Sequence, residues 1–262
     1  MAIVKATFDA IWGVVVSEIH GAMLRLRQAQ KSSKGAAAYS RYVNRPLWRP
    51  LAATAFALRM TPSQVTIVSA LCTLTGVALI ALLAPTLWSS VLVCGLLVLG
   101  YALDSADGQL ARLTGAGTLA GEWLDHFFDS LKLASIHLAV LVCWFRFYDL
   151  PDVWLLVPLG FAVVANTFFF GIIAADFLRR IHRLESPVDV VEAPREAWRS
   201  GGLYSLAVIP SDYGFLCLAF LLLWWQPGFV AVYTALAAVN AVLLVLAAFR
   251  WHRSIAGLQA HV

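Results

Sequence analysis

The chain has 262 residues, of which 61% are hydrophobic and only 13% charged, with a formal net charge of +4 and a mean hydropathy of +0.78. Soluble domains carry about 25% charged residues, so this composition excludes a soluble globular enzyme, a disordered chain and a collagen-like fibre. Six or so stretches of about 20 apolar residues would fill roughly half of it, the mark of a polytopic helical membrane protein.

Residues 1–30 alternate apolar and polar positions without a clean membrane span, and 28–35 form a polar break. Lys5 and Asp9 lead into a stretch interrupted by Glu18 and His20, so no cleavable signal peptide is expected. Residues 36–58 then carry Arg41, Arg45 and Arg49 four apart among Tyr, Leu, Trp and Ala. That spacing lines three guanidinium groups along one helical face, as in a helix lying among lipid headgroups. Residues 1–60 are therefore expected to form a cytoplasmic or interfacial amphipathic helical region.

Six apolar spans follow, at 62–83, 87–110, 119–147, 153–178, 206–225 and 229–249. Turns at 84–86, 148–152 and 226–228 and a longer loop at 179–204 join them into a transmembrane domain over 61–253, with a cytoplasmic tail at 254–262. The expected fold class is all-α integral membrane, with six transmembrane helices. Cys72, Cys94, Cys143 and Cys217 stand singly in these runs without CxxC or CxxH spacing, so neither a disulfide framework nor a zinc site is expected.

Lys and Arg set the orientation. Nine of the 19 precede the first span; Arg112 ends the second; Arg179, Arg180, Arg183, Arg195 and Arg199 follow the fourth; Arg250 and Arg253 follow the sixth. The turns at the other face hold only Arg146. The basic face is assigned to the cytoplasm, in a multi-pass protein of the cell (plasma or inner) membrane. Trp88, Trp144, Trp154, Trp224 and Trp225 fall at the opposite ends of the spans, where an aromatic belt is expected. No basic face is concentrated enough for nucleic acid, which is not expected as a partner.

Charged residues inside a membrane are costly and mark function. The densest group ends the second span and opens the third: Asp104, Asp107, Gly108, Ala111 and Arg112, then Gly121, Glu122, Asp125, His126 and Asp129. On helices, Asp104 and Asp107 share one face (i, i+3) and Asp125 and Asp129 another (i, i+4). The intervening turn is short and Gly-bearing, so the helices are expected as antiparallel neighbours with four carboxylates converging near one membrane surface. Four such charges repel strongly at low dielectric. Divalent cations relieve that repulsion, and all-oxygen ligation selects hard ones such as Mg²⁺ or Mn²⁺.

A pair of metals held this way clamps a diphosphate and stabilises charge on the leaving group. Gly108 and Gly121 let a ligand or helix approach the backbone. Arg112 offers a planar fork to phosphate oxygens. An EF-hand does not fit, since its ligand spacing is absent.

The string D-x2-D-G-x2-A-R-x8-G-x3-D-x3-D, filled here by Asp104, Asp107, Gly108, Ala111, Arg112, Gly121, Asp125 and Asp129, resembles the signature of the CDP-alcohol phosphotransferase (CDP-alcohol phosphatidyltransferase) family. The motif covers 26 residues, and the family's six-helix plan fits the chain beyond residue 60. The resemblance implies an integral-membrane transferase of phospholipid biosynthesis. It would move a substituted phosphate group from a CDP-linked alcohol donor to an acceptor hydroxyl and release CMP. It further implies a two-metal site on Asp104, Asp107, Asp125 and Asp129, with Asp129 as general base. Gly108, Ala111, Arg112 and Gly121 would line the cytidine diphosphate site. It also implies a homodimer.

The segment from Gly121 to Ser130 resembles the G-E-x-x-D-H-x-x-D-S form of the choline/ethanolamine phosphotransferase branch. There the CDP carries a small polar head group and the acceptor is a lipid hydroxyl, which favours head-group transfer to lipid. The opposite polarity, CDP-diacylglycerol donor with a soluble polyol or polyol-phosphate acceptor, stays open. His126 is an alternative proton acceptor, or else a histidine satisfied by Glu122.

Further polar residues invite roles. Lys132 would pair with Asp129 or hold a substrate anion, the former favoured. Arg179, Arg180 and Arg183 would bind an acceptor phosphate or lipid heads, or simply mark the cytoplasmic face. Thr61 to Thr66 resembles the family's T-P-N-x-[VL]-T opening, with Ser63 where Asn is usual. Asp176, Asp212 and Asn240 are candidates to line a cavity. Two other classes compete: an intramembrane Mg²⁺-dependent prenyltransferase, and a cation transporter, whose acids would lie nearer the bilayer midplane.

Overall fold

The computed structural model describes residues 16–26, 48–185 and 212–259, and these are helical with short connections and no strand among them. Helix α1 covers 16–26. It is followed by α2 (Arg49–Ala57), α3 (Pro62–Leu82), α4 (Leu87–Thr114) and α5 (Leu119–Phe147). A 3₁₀ turn at Asp152–Leu155 leads into α6 (Leu156–Glu185). The chain then resumes with α7 (Tyr213–Ala219), a 3₁₀ turn at Phe220–Leu222 and α8 (Gln226–Gln259). Among the described residues, five helices are long and apolar enough to cross a membrane, and Tyr213–Leu222 is a shorter apolar piece. This is the all-α integral-membrane class.

Five of the six spans are seen where expected, with later ends for three of them. α4 continues past residue 110 to Thr114, so every residue from Asp104 to Arg112 is helical; Gly115 stops it in the left-handed region at φ 66°. α6 runs past residue 178 and carries Arg179, Arg180 and Arg183 on its last turns. α8 extends past residue 249 to Gln259. The helical ladder satisfies its own backbone groups, so it outlasts the apolar run that hydropathy detects. The first part of the fifth expected span lies outside the described residues, as do Arg41 and Arg45 of the expected three-arginine face.

Local sequence sets the helix starts. Thr61 and Gln64 form a reciprocal capping box with Pro62 in the first turn, and Thr86 and Ser89 form a second box. Thr118 caps α5 by accepting from the Gly121 amide at 3.0 Å.

α3 lies against both α4 and α5, which places it behind the motif hairpin. The α3–α4 contact is built on small residues. The Ser69 hydroxyl donates to the Gly100 carbonyl at 2.8 Å, and a Cβ on Gly100 would run into the Thr73 side chain. Such close approach is how helices pack where the surrounding lipid is as apolar as the side chains. At the end away from the motif, Trp144, Phe220, Phe229 and Tyr233 fill an aromatic core. Trp144 was expected in an interfacial belt but is 1% exposed; Trp88, at 81%, faces outward. Its position on α5 points it at α8 rather than at lipid, and its ring lies edge-on to Phe229 and Tyr233. A second, smaller core joins Ala22 and Leu26 of α1, Ala52 and Ala53 of α2, and Ala106 and Leu110 of α4. It fastens the N-terminal helices to the motif end of the bundle.

Replacing Gly100 by Leu is expected to destabilise the protein by about 1–3 kcal/mol through overpacking, read as a lower thermal unfolding midpoint in detergent. The same change at Gly95, where nothing lies within 4 Å of an added Cβ, should leave the midpoint nearly unchanged.

Candidate active site

The motif residues sit on facing turns of α4 and α5. Asp107 is 6% exposed and accepts a 2.5 Å hydrogen bond from the Thr66 hydroxyl on α3. One helical turn before it, Asp104 lies 2.5 Å from Lys132 Nζ, and the same ammonium reaches Asp129 at 3.1 Å. Lys132 is 4% exposed, so this is a buried bridge that ties α4 to α5. Asp107, Asp125 and Asp129 all stand close enough to feel the charge of Asp104. The four aspartates of the signature therefore form one electrostatic cluster.

Within that cluster, ligand atoms of Asp125, His126 and Asp129 lie within 4.8 Å of one another. His126 lies within ion-pair reach of Glu122 but makes no hydrogen bond to it. The gap to Glu122 Oε1 is 3.9 Å, because Arg180 of α6 claims that oxygen at 2.8 Å while also pairing with Asp176 at 2.7 Å. His126 Nδ1 is buried without a hydrogen-bond partner among the described residues. Edge-on contacts to Phe169 and Phe177 hold the ring.

The small residues of the signature each have a local reason. A Cβ on Gly108 would stand 3.4 Å from Arg112 Nη1, an ordinary contact, so the exposed guanidinium of Arg112 reaches back over Gly108 one turn away. Ala111, half-buried, lies beside it. A Cβ on Gly121 would come within 3.2 Å of the capping Thr118 hydroxyl and 3.7 Å of the Ser63 hydroxyl. Glycine keeps the start of α5 close to α3.

The donor set fits a hard divalent cation. It is made of carboxylate oxygens with one imidazole, and a cation of this chain, the Lys132 ammonium, already stands between two of the carboxylates. A cavity of about 260 Å³ opens beside Asp104, Asp129 and Lys132 and runs into the bundle past Tyr101, His137 and Asp212. Asn240 borders it as well, whereas Asp176 is engaged with Arg180.

Sequence reasoning overlooked several of these residues. Thr66 was read only as part of a helix start, yet it binds the most buried aspartate of the signature. The link from Lys132 to Asp104 crosses 28 residues of sequence and depends on how two helices face each other. Tyr101 and His137 lie in apolar runs with no motif around them. A buried histidine two turns beyond Asp129 on the same face was the one readable sign.

The family model for CDP-alcohol phosphatidyltransferases matches residues 59–251. The chain belongs to that family. It is also 39% identical over 106 residues to a phosphatidylinositol phosphate synthase of Corynebacterium glutamicum, a stretch that takes 39% of this chain. The match spans 45% of that relative's length. Membership of the family favours transfer of a phosphate-containing group over the prenyltransferase and transporter classes.

Lys132→Met removes the ammonium between Asp104 and Asp129. In metal-free protein this is expected to cost about 3–5 kcal/mol, as for other broken buried pairs. Added Mg²⁺ should then raise the thermal midpoint further in the variant than in the parent; an equal rise in both would disprove the charge-balancing role.

Proposed function

We propose that the protein moves a phosphatidyl group from CDP-diacylglycerol to a hydroxyl of a small soluble polyol and releases CMP. The observation that carries the transferase chemistry is the single cluster of four signature aspartates on the α4–α5 hairpin. The polarity is supported by the relative's activity, as its name gives it.

Asp104, Asp107, Asp125 and Asp129 would hold Mg²⁺ or Mn²⁺, which would neutralise the diphosphate and stabilise charge on the departing CMP. Gly108, Ala111, Arg112 and Gly121 would border the nucleotide, with the Arg112 guanidinium set for phosphate oxygens. Asp129 would take the proton of the acceptor hydroxyl as its oxygen attacks the phosphorus that carries the lipid alcohol. The bond from that phosphorus to the bridging oxygen breaks, and CMP leaves with the oxygen. His126, with an unpartnered Nδ1, is the alternative proton acceptor. The distribution of Lys and Arg favours a site open to the cytoplasm, where a soluble acceptor arrives.

The Asp125-His126 pair favours a second reading, a soluble CDP-alcohol donor with a lipid hydroxyl as acceptor. One assay separates the two. Purified protein in lipid-containing detergent is given Mg²⁺ or Mn²⁺ and either CDP-diacylglycerol with soluble polyols and polyol phosphates, or CDP-choline and CDP-ethanolamine with diacylglycerol. CMP release is expected from the first set, abolished by chelation and reduced by about 10²–10⁴ in Asp129→Asn. Release from the second set alone would reverse the polarity. Release from neither, with no binding of cytidine nucleotide, would overturn the reading.

A further inference from the structure

We propose that His137, oriented by Tyr233, binds the hydroxyl groups of the acceptor, so that the cavity beyond Asp129 is a pocket for a small polyhydroxylated alcohol. The proposal rests on the phosphatidyl-transfer reading above and adds what selects the acceptor.

The placement follows from helix geometry. Asp129, Leu133 and His137 recur every four residues on α5, share one face and line the same cavity. At about 1.5 Å of rise per residue, His137 lies about 12 Å further along the helix than Asp129. The cavity therefore starts at the carboxylates and continues into the apolar part of the bundle.

Inside it, His137 is fully buried, and its Nδ1 is 2.6 Å from the hydroxyl of Tyr233, itself fully buried. A neutral imidazole has one donor nitrogen and one acceptor nitrogen. If Tyr233 donates to Nδ1, a single group is left over, the Nε2 N–H. The reverse arrangement would strand two groups, the tyrosine O–H and the Nε2 lone pair. Tyr233 is therefore the donor, and His137 keeps an N–H at Nε2. That nitrogen is buried with no partner among the described residues, although an unmade buried hydrogen bond is costly. The ring cannot turn away to find one, because Phe161 packs on its face at 4.0 Å between centroids.

Thr73 on the wall shares the condition, and Tyr213 does so only in part. The buried hydroxyls of Thr73 on α3 and Tyr213 on α7 have no hydrogen bond of good geometry among the described residues; the Tyr213 hydroxyl has a weak neighbour in the Cys217 thiol. Two unsatisfied polar groups on one cavity, the His137 N–H and the Thr73 hydroxyl, call for a ligand that hydrogen-bonds, which an acyl chain does not. The cavity of about 260 Å³ suits a small polyol. The Lys132 ammonium is committed to Asp104 and Asp129, and the other charged group on the wall is the Asp212 carboxylate, so the described residues offer no free cation to an anion at the deep end. A phosphate on the acceptor would stay at the mouth.

The test measures CMP release with CDP-diacylglycerol and four acceptors: myo-inositol, myo-inositol 1-phosphate, glycerol and sn-glycerol 3-phosphate. Each is compared with its deoxy analogues, in the parent, His137→Phe, His137→Gln and Tyr233→Phe. Metal-dependent CMP binding is followed in each as a check of folding. The acceptor KM should rise about tenfold in His137→Phe, with the KM for CDP-diacylglycerol and the affinity for CMP within twofold of the parent. His137→Gln, which keeps an N–H, should recover part of the loss. One deoxy analogue should lose about tenfold in the parent and nothing in His137→Phe.

An unchanged acceptor KM in a His137→Phe protein that still binds CMP overturns the pocket while phosphatidyl transfer stands. So does a loss shared equally by donor and acceptor, and so does a cavity that holds water alone, for which no deoxy analogue would differ. If His137→Phe fails to bind CMP, the deoxy series on the parent decides, and no hydroxyl worth more than twofold overturns the proposal. If polyols release no CMP and diacylglycerol with a soluble CDP-alcohol does, both readings fall together.

Discussion

Four carboxylates held on facing turns of two membrane helices cannot be left to themselves. In a medium of low dielectric their mutual repulsion would push α4 and α5 apart or strip the charge from some of them. The chain answers with groups from three helices of the bundle, α3, α5 and α6. Lys132 reaches between Asp104 and Asp129, and the Thr66 hydroxyl supports Asp107. Arg180 takes up the fifth acid, Glu122, at 2.8 Å, while His126 stands 3.9 Å from the same oxygen. Each compensation comes from a different helix, so the charge cluster and the helix arrangement depend on one another.

That dependence explains where the packing is tightest. Thr66 can meet Asp107 only if α3 and α4 run close together, and one helical turn or two further on the same pair is locked by Ser69, Thr73 and Gly100. The aromatic cluster of Trp144, Phe229 and Tyr233 fixes the far end of α5 against α8. Between a rigid far end and a charged near end, α5 has little freedom to rotate. Its face bearing Asp125, Asp129 and His137 is held toward the interior.

The signature itself was legible because its spacing is local: residues three and four apart on a helix share a face whatever the tertiary fold does. The α3–α6 helices were legible for a similar reason, since a run of apolar residues carries its own signal. The rest depends on rotation between helices. Nothing near Lys132 in sequence marks Asp104 as its partner, and nothing near Trp144 says that it turns to α8 instead of lipid. Hydropathy also ended α6 at the first arginine of Arg179–Arg180, although an arginine at a helix end reaches water without breaking the backbone ladder. As a result Arg180 stands on a helix, close enough to Glu122 to pair with it.

A site with these neighbours divides into two zones with different chemistry. At the mouth, carboxylates and Lys132 form a region suited to cations and, through them, to a diphosphate. Beyond Asp129 the walls carry hydroxyls, an imidazole and the Asp212 carboxylate, and burying a phosphate there would leave it without a counter-charge. Hydroxyl groups can enter such a zone because each exchanges water for a partner of equal kind. An acceptor that is polar at every carbon but neutral at its deep end suits both zones at once. The fold then separates the two demands of the proposed reaction along one helix, with phosphoryl chemistry at Asp129 and acceptor choice two turns further in, at His137.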